Sequence, residues 1–155
     1  MNGAHLHMGV NHIPIMGTVF GLGVLITGLV TNNHTVKNIA YVLFIIAAVF
    51  AAISSSTGEM AEDLIKDIPS VEKKIIDQHA HFAALLALTL YVLGAISAAG
   101  IFFNFRKNGG TKTIASLAIL LGIIGVFFIF QAGKSGGDIR HTEFRTKRQS
   151  TFFIY

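Results

Sequence analysis

Cysteine is absent from this 155-residue chain, and charge is scarce, with only 13% of residues charged. Without cysteine there are no disulfides, no thiolate metal sites and no covalently attached c-type haem. Soluble domains carry charge on about a quarter of their residues, roughly twice the proportion found here. Hydrophobic residues make up 52% of the chain, and the mean hydropathy is +0.63. A soluble globular domain and a disordered chain are both poor fits to such numbers. The formal net charge of +4 does not point to nucleic acid, because the basic residues are scattered at the ends of apolar runs and form no stripe. The length allows one domain, and the composition is that of a polytopic membrane protein.

Four apolar segments have spanning length: Ile13–Val30, Val36–Ile53, Phe82–Phe103 and Thr113–Ala132. About 20 residues at about 1.5 Å each cover a hydrocarbon layer of roughly 30 Å. The core helices of a soluble protein keep a polar face at a 3.6-residue period; these segments do not. The first segment lacks a basic leader and a small-residue cleavage site, so it reads as a retained span and not as a signal peptide. The predicted fold is all-α, an integral membrane four-helix bundle in a single transmembrane domain.

The connections alternate in length. Residues 31–35 and 104–112 are short, whereas 54–81 form a long loop and 133–155 a tail. With four spans both termini share one side with the long loop. That side carries all eight acids: Glu59, Glu62, Asp63, Asp67, Glu72, Asp77, Asp138 and Glu143. The opposite side carries Lys37, Arg106, Lys107 and Lys112 and no acid. The density of basic residues on the short loops favours their being cytoplasmic. The termini would then be periplasmic in a bacterial inner membrane; Arg145, Lys147 and Arg148 in the tail weigh the other way.

Within the long loop, Gly58–Ile68 reads as a short amphipathic helix with Ala61, Leu64, Ile65 and Ile68 on one face. Pro69 would stop it, and Ser70 would cap the helix leading into span 3. The apolar face suits a helix lying on lipid headgroups. Pairs of small residues four apart (Gly17 and Gly21, Ala47 and Ala51, Gly94 and Ala98, Ala118 and Gly122) predict close helix contacts. Gly133–Gly137 has no phosphate-loop spacing and reads as a helix C-cap and turn. The basic and aromatic tail, residues 143–155, would serve as an interfacial anchor or a docking segment.

Six of the seven histidines fall on the side of the termini. His12 begins span 1, His79 and His81 begin span 3, Glu59 follows span 2, and His141 follows span 4. Antiparallel helices would bring these mouths together. The positive end of a helix dipole favours a neutral imidazole, which is the form that ligates a metal or haem iron. His79 and His81 lie about 200° apart on a helix, so only one can face inward. Taken singly, each histidine also suits the membrane interface as an amphipathic side chain. His5 and His7 lie in a terminal arm, and His34 reads as a solvated loop residue.

Several motifs resemble the DUF2231 family of bacterial membrane proteins. They are His12-Ile13-Pro14-Ile15, then Thr57-Gly58-Glu59-Met60-Ala61-Glu62-Asp63, then Ile68-Pro69-Ser70-Val71 with Ile76-Asp77-Gln78-His79, and finally Gly136-Gly137-Asp138-Ile139-Arg140-His141. The likeness covers about residues 10–143. It implies a four-helix membrane protein and marks His12, Glu59, His79 and His141 as motif positions, favouring His79 over His81. Ala80 departs from the glutamate often found there in that family.

Two functional expectations follow. In the first, His12, His79 and His141 bind a b-type haem, or with Glu59 a divalent transition metal, at one mouth of the bundle, and the protein passes electrons. In the second, the chain is a non-catalytic subunit of a larger membrane complex, surrounded by lipid and joined to other membrane subunits or to copies of itself. An ion-coupled transporter is disfavoured, because Lys37 is the one charged residue in the spanning helices and lies at a mouth.

Overall fold

In the computed structural model the described residues are 3–65, 73–106 and 110–152, with side chains described over 6–63, 73–106 and 110–137. The described residues form five helices: α1 (Gly3–Val10), α2 (His12–Val30), α3 (His34–Ile65), α4 (Lys73–Phe105) and α5 (Thr111–Phe152). No strand occurs among the described residues. Four stretches, Leu6–Val30, His34–Asp63, Lys73–Phe105 and Thr111–Gly137, are long and apolar enough to cross a membrane. The all-α four-helix architecture expected from the sequence is therefore present, on helices longer than the apolar runs inside them.

The N-terminal arm is helical. Asn11 alone separates α1 from α2, and its N–H still donates to the His7 carbonyl at 3.0 Å. The interruption has a local cause in Pro14. Proline has no N–H to offer the carbonyl four residues back, here Val10, and its ring crowds that group.

The turn from α2 to α3 closes by side-chain and backbone chemistry that the sequence carries outright. Asn33 N–H donates to the Gly28 carbonyl at 3.0 Å and Asn32 N–H to the Leu29 carbonyl at 3.2 Å, which is the Schellman closure. It requires a left-handed residue, and Asn32 has φ 50°, a conformation asparagine tolerates. Asn33 Oδ1 then accepts from Thr35 N–H at 2.9 Å and Val36 N–H at 3.2 Å, capping α3.

Two expectations about helix ends are corrected. Residues 54–65 continue α3 without a break and form no separate amphipathic helix. Their hydroxyls sustain the helix: Ser56 donates to the Ala52 carbonyl and Thr57 to the Ile53 carbonyl. The proposed stop and cap at Pro69 and Ser70 lie outside the described residues. Gly133–Gly137 is likewise no C-cap, since α5 runs through it to Phe152 and no described glycine has positive φ. Ser135, inside that segment, donates to the Gln131 carbonyl as a helical serine does.

The helices form a closed square in chain order, with α2 on α3, α3 on α4, α4 on α5 and α5 back on α2, and α1 lies on α3. The core comprises Leu25, Ala40, Tyr41, Phe44, Ala51, Leu90, Leu93, Ala115 and Ala118. Small residues make the contacts: Gly17 faces Ala47, Gly94 faces Ala48 and Gly122 faces Leu22. Ala98 is exposed, so the inward stripe of α4 runs instead through Leu90, Gly94, Ser97 and Gly100. Large apolar residues point outward, among them Phe20, Val30, Phe105 and Phe130. So much outward apolar surface suits lipid and not water, the arrangement of a multi-pass membrane protein.

The closest approach to a neighbouring backbone is at Gly28, where a Cβ would stand 2.8 Å from the Lys37 backbone nitrogen. Gly28→Ala is expected to lower stability by about 1–3 kcal/mol. Gly23→Ala, with nothing within 4 Å of its Cβ position, should be neutral or gain up to about 1 kcal/mol from helix propensity. Thermal unfolding in detergent distinguishes the two; equal behaviour would refute the close approach.

Candidate functional site

His79 lies in the first turns of α4, half-buried, and reaches across to α5. Its Nδ1 is 3.0 Å from the Ala132 carbonyl oxygen and 3.3 Å from Ser135 Oγ. A carbonyl can only accept, so Nδ1 carries the proton. The Ser135 hydroxyl hydrogen points to its own helix, at the Gln131 or Ala132 carbonyl, which leaves the hydroxyl oxygen free to accept from the ring. A neutral His79 with its proton on Nδ1 therefore presents Nε2 as a lone pair.

His7 repeats this arrangement in the other half of the chain. From α1 it reaches α3, with Nδ1 3.0 Å from the Ser54 carbonyl oxygen and 3.3 Å from Thr57 Oγ1. The Thr57 hydroxyl donates to the Ile53 or Ser54 carbonyl, so the same reasoning puts the proton on Nδ1 and the lone pair on Nε2. In each half the receiving helix supplies a carbonyl, then a hydroxyl three residues later, then a glycine after that. The glycines have a steric role: a Cβ at Gly58 would stand 3.3 Å from His7 Cε1, and one at Gly136 would stand 3.2 Å from His79 Cε1. Any side chain there would press on the ring. The two imidazoles lie at the same end of the bundle and within electrostatic reach of each other.

The other candidates fall as follows. His12 is exposed, and its Nδ1 donates to the Met8 carbonyl one turn earlier at 2.9 Å; its tautomer is fixed in the same sense, but by its own segment and not by a neighbouring helix. Glu59 is exposed on α3. His141 belongs to α5, but its side chain lies outside those described, as does that of His5. His81 is exposed, edge-on to the Phe82 ring, so His79 is the inward residue of the pair. Among the described residues, no three of His, Cys, Asp and Glu converge in a way that could hold a metal ion.

Sequence reasoning undervalued His7 because terminal arms are so often mobile. A signal was present all the same: a hydroxyl–glycine dipeptide follows both span 2 (Thr57-Gly58) and span 4 (Ser135-Gly136) within one turn or so. His34, read as solvated, starts α3 with Nδ1 3.0 Å from Asn104 Oδ1, while Asn104 Nδ2 donates to Asn38 Oδ1 at 2.7 Å. That small network ties the opposite end of α3 to α4.

These contacts predict that neutral His7 and His79 are both Nδ1–H tautomers, which nitrogen NMR of the labelled protein reads directly. Thr57→Val and Ser135→Ala should each cost about 1 kcal/mol, chiefly through the lost hydrogen bond to the ring, while leaving that tautomer in place. A proton found on Nε2 of either ring would overturn the assignment.

No family model, curated protein or solved structure matches this chain.

Proposed function

We propose that the protein is a small membrane electron carrier that holds a b-type haem between His7 and His79. One observation carries the reading: two imidazoles, one from each half of the chain, have Nδ1 fixed on a backbone carbonyl and a hydroxyl of a neighbouring helix, with Nε2 left as a lone pair. Ligating histidines almost always donate their other N–H in this way, which sets the tautomer and the ring orientation.

Haem fits this donor set better than a bare ion. A divalent metal asks for three or more protein ligands, and no such group occurs among the described residues. A porphyrin supplies four nitrogens itself and asks the protein for at most two axial ligands. With imidazoles in both positions no coordination site remains for a substrate, which favours electron transfer over chemistry on a bound molecule. When bound, the haem would supply a one-electron couple. The chain's part is to hold two neutral imidazoles, to exclude ordinary side chains from their faces through Gly58 and Gly136, and to keep the site within a low-dielectric bundle. His12, on the rim, and His141 are reserve ligands in this reading, and Glu59 is a charge at the mouth. The resemblance to the DUF2231 family, the bacterial inner membrane and the periplasmic placement of both termini belong to the same proposal.

Protein produced with ample haem should purify with a Soret band and, on reduction, with the sharpened visible bands of six-coordinate low-spin haem. His7→Ala and His79→Ala should each abolish the low-spin spectrum, whereas His81→Ala and His12→Ala should keep it. The absence of both a Soret band and extractable haem from the wild type would sink the reading. For orientation, the cysteine-free chain permits single-cysteine labelling. A membrane-impermeant maleimide applied to intact spheroplasts should modify Glu59→Cys and spare Thr31→Cys; the reverse pattern would put the termini in the cytoplasm.

A further inference from the structure

The end of the bundle remote from the histidine pair holds an unusual set of groups. Lys37 is fully buried, and its Nζ has no hydrogen-bond partner among the described residues. A lysine near a membrane interface ordinarily stretches its stem so that the ammonium reaches water; this one does not. Tyr41 and Ser97 are also fully buried, and the Tyr41 hydroxyl and Ser97 Oγ likewise lack partners among the described residues. Ser97 lacks the usual bond of a helical hydroxyl to its own backbone. Thr18, Thr27, Thr57, Thr89 and Ser135 each donate to the carbonyl four residues before.

The three groups lie in the same half of the bundle, and α3 and α4, which carry them, pack together. Lys37 and Tyr41 are one turn apart on the same face of α3. Ser97 and Gly100 are one turn apart on α4, and the Tyr41 ring lies where a Cβ on Gly100 would come within 2.6 Å of it. Lysine has three donors and no acceptor, and the two hydroxyls can each donate. What the cluster lacks is an acceptor with negative charge. No acid occurs in residues 1–58 or 78–137. On α3 the first carboxylate is Glu59, 22 residues from Lys37, or about 33 Å along the helix. At the end of α2, the Thr27, Gly28 and Leu29 carbonyls already accept from the turn. An ammonium enclosed in an apolar bundle without a counter-charge is strongly unfavourable. Water could satisfy its hydrogen bonds but would bring no counter-charge.

We propose that this interior site binds a small monovalent anion of the chloride class, held by Lys37 Nζ, the Tyr41 hydroxyl and Ser97 Oγ. Packing limits its size. The Lys37 stem lies against Gly28 and the Tyr41 ring against Gly100, and in so close-packed an interior a single-atom anion asks for the least room. The site is independent of the haem reading, being built at the other end from other residues.

The test is thermal unfolding of the purified protein in sodium chloride against sodium gluconate at equal ionic strength, gluconate being a far bulkier anion than chloride. Wild type should gain stability saturably with chloride and not with gluconate, as a ligand that binds only the folded state requires. Lys37→Met should lose the chloride response while being at least as stable as wild type in gluconate, because an apolar isostere removes the uncompensated charge. Should Lys37→Met fail to fold, Tyr41→Phe and Ser97→Ala supply the test, each raising the half-saturating chloride concentration about tenfold. Line broadening of chloride NMR, relieved by added bromide, should follow the same variants. Equal unfolding in the two salts, or variants that keep the wild-type chloride response, would overturn the proposal and leave water alone as the occupant. His7→Ala and His79→Ala should keep the response, so failure of the haem reading and failure of this one are separable.

Discussion

A hydroxyl or an N–H inside a hydrocarbon layer must find its partner within the protein, because no water is there to serve. That constraint organises this molecule. Threonines and serines along the helices turn their hydrogens back onto their own backbone, which costs the helix little. Once Thr57 and Ser135 have done so, each still has an oxygen able to accept, and a histidine from a neighbouring helix donates to it. The self-bonding of a hydroxyl thus becomes the means by which an imidazole is oriented. The same constraint makes Lys37, Tyr41 and Ser97 conspicuous, since they are enclosed to the same degree and have no partner among the described residues.

Close approach of helices is the second organising condition. Between lipid-facing helices there is no hydrophobic gain from association, so contact depends on how near the backbones can come. Gly28 at Lys37, Gly94 at Ala48 and Gly100 at Tyr41 occupy positions where a Cβ would stand under 3.0 Å from a neighbour. Gly58 and Gly136 do the same work less tightly at the histidine rings. Both ends of the bundle therefore depend on glycine for room, one to seat rings and the other to enclose a lysine and a tyrosine.

The two ends differ in chemical character, and the difference is built into the chain. The histidine end gathers imidazoles anchored through Nδ1 and, in sequence, all the acids. The other end has donors without an acid. An electron carrier and a buried anion site would make distinct uses of one bundle, separated by most of its length.

Runs of uncharged apolar residues determined the four crossing helices, because a backbone that must satisfy itself can do so only as helix, and Asn32-Asn33 determined the turn between the first two. The sequence also brought His79 to the mouth, with the choice over His81 resting on resemblance. Other features depended on tertiary structure, for reasons of geometry. His7 gains significance only because α1 lies on α3 and sets its ring against Ser54 and Thr57. Gly133–Gly137 stays helical because glycine permits a helix as well as a turn and α4 packs along it. Lys37, which begins a span and in sequence looks free to reach water, is sealed by the approach of α2 at Gly28. Helical periodicity tells which residues share a face of one helix; which face is enclosed, and by what, is decided only when the other helices close around it.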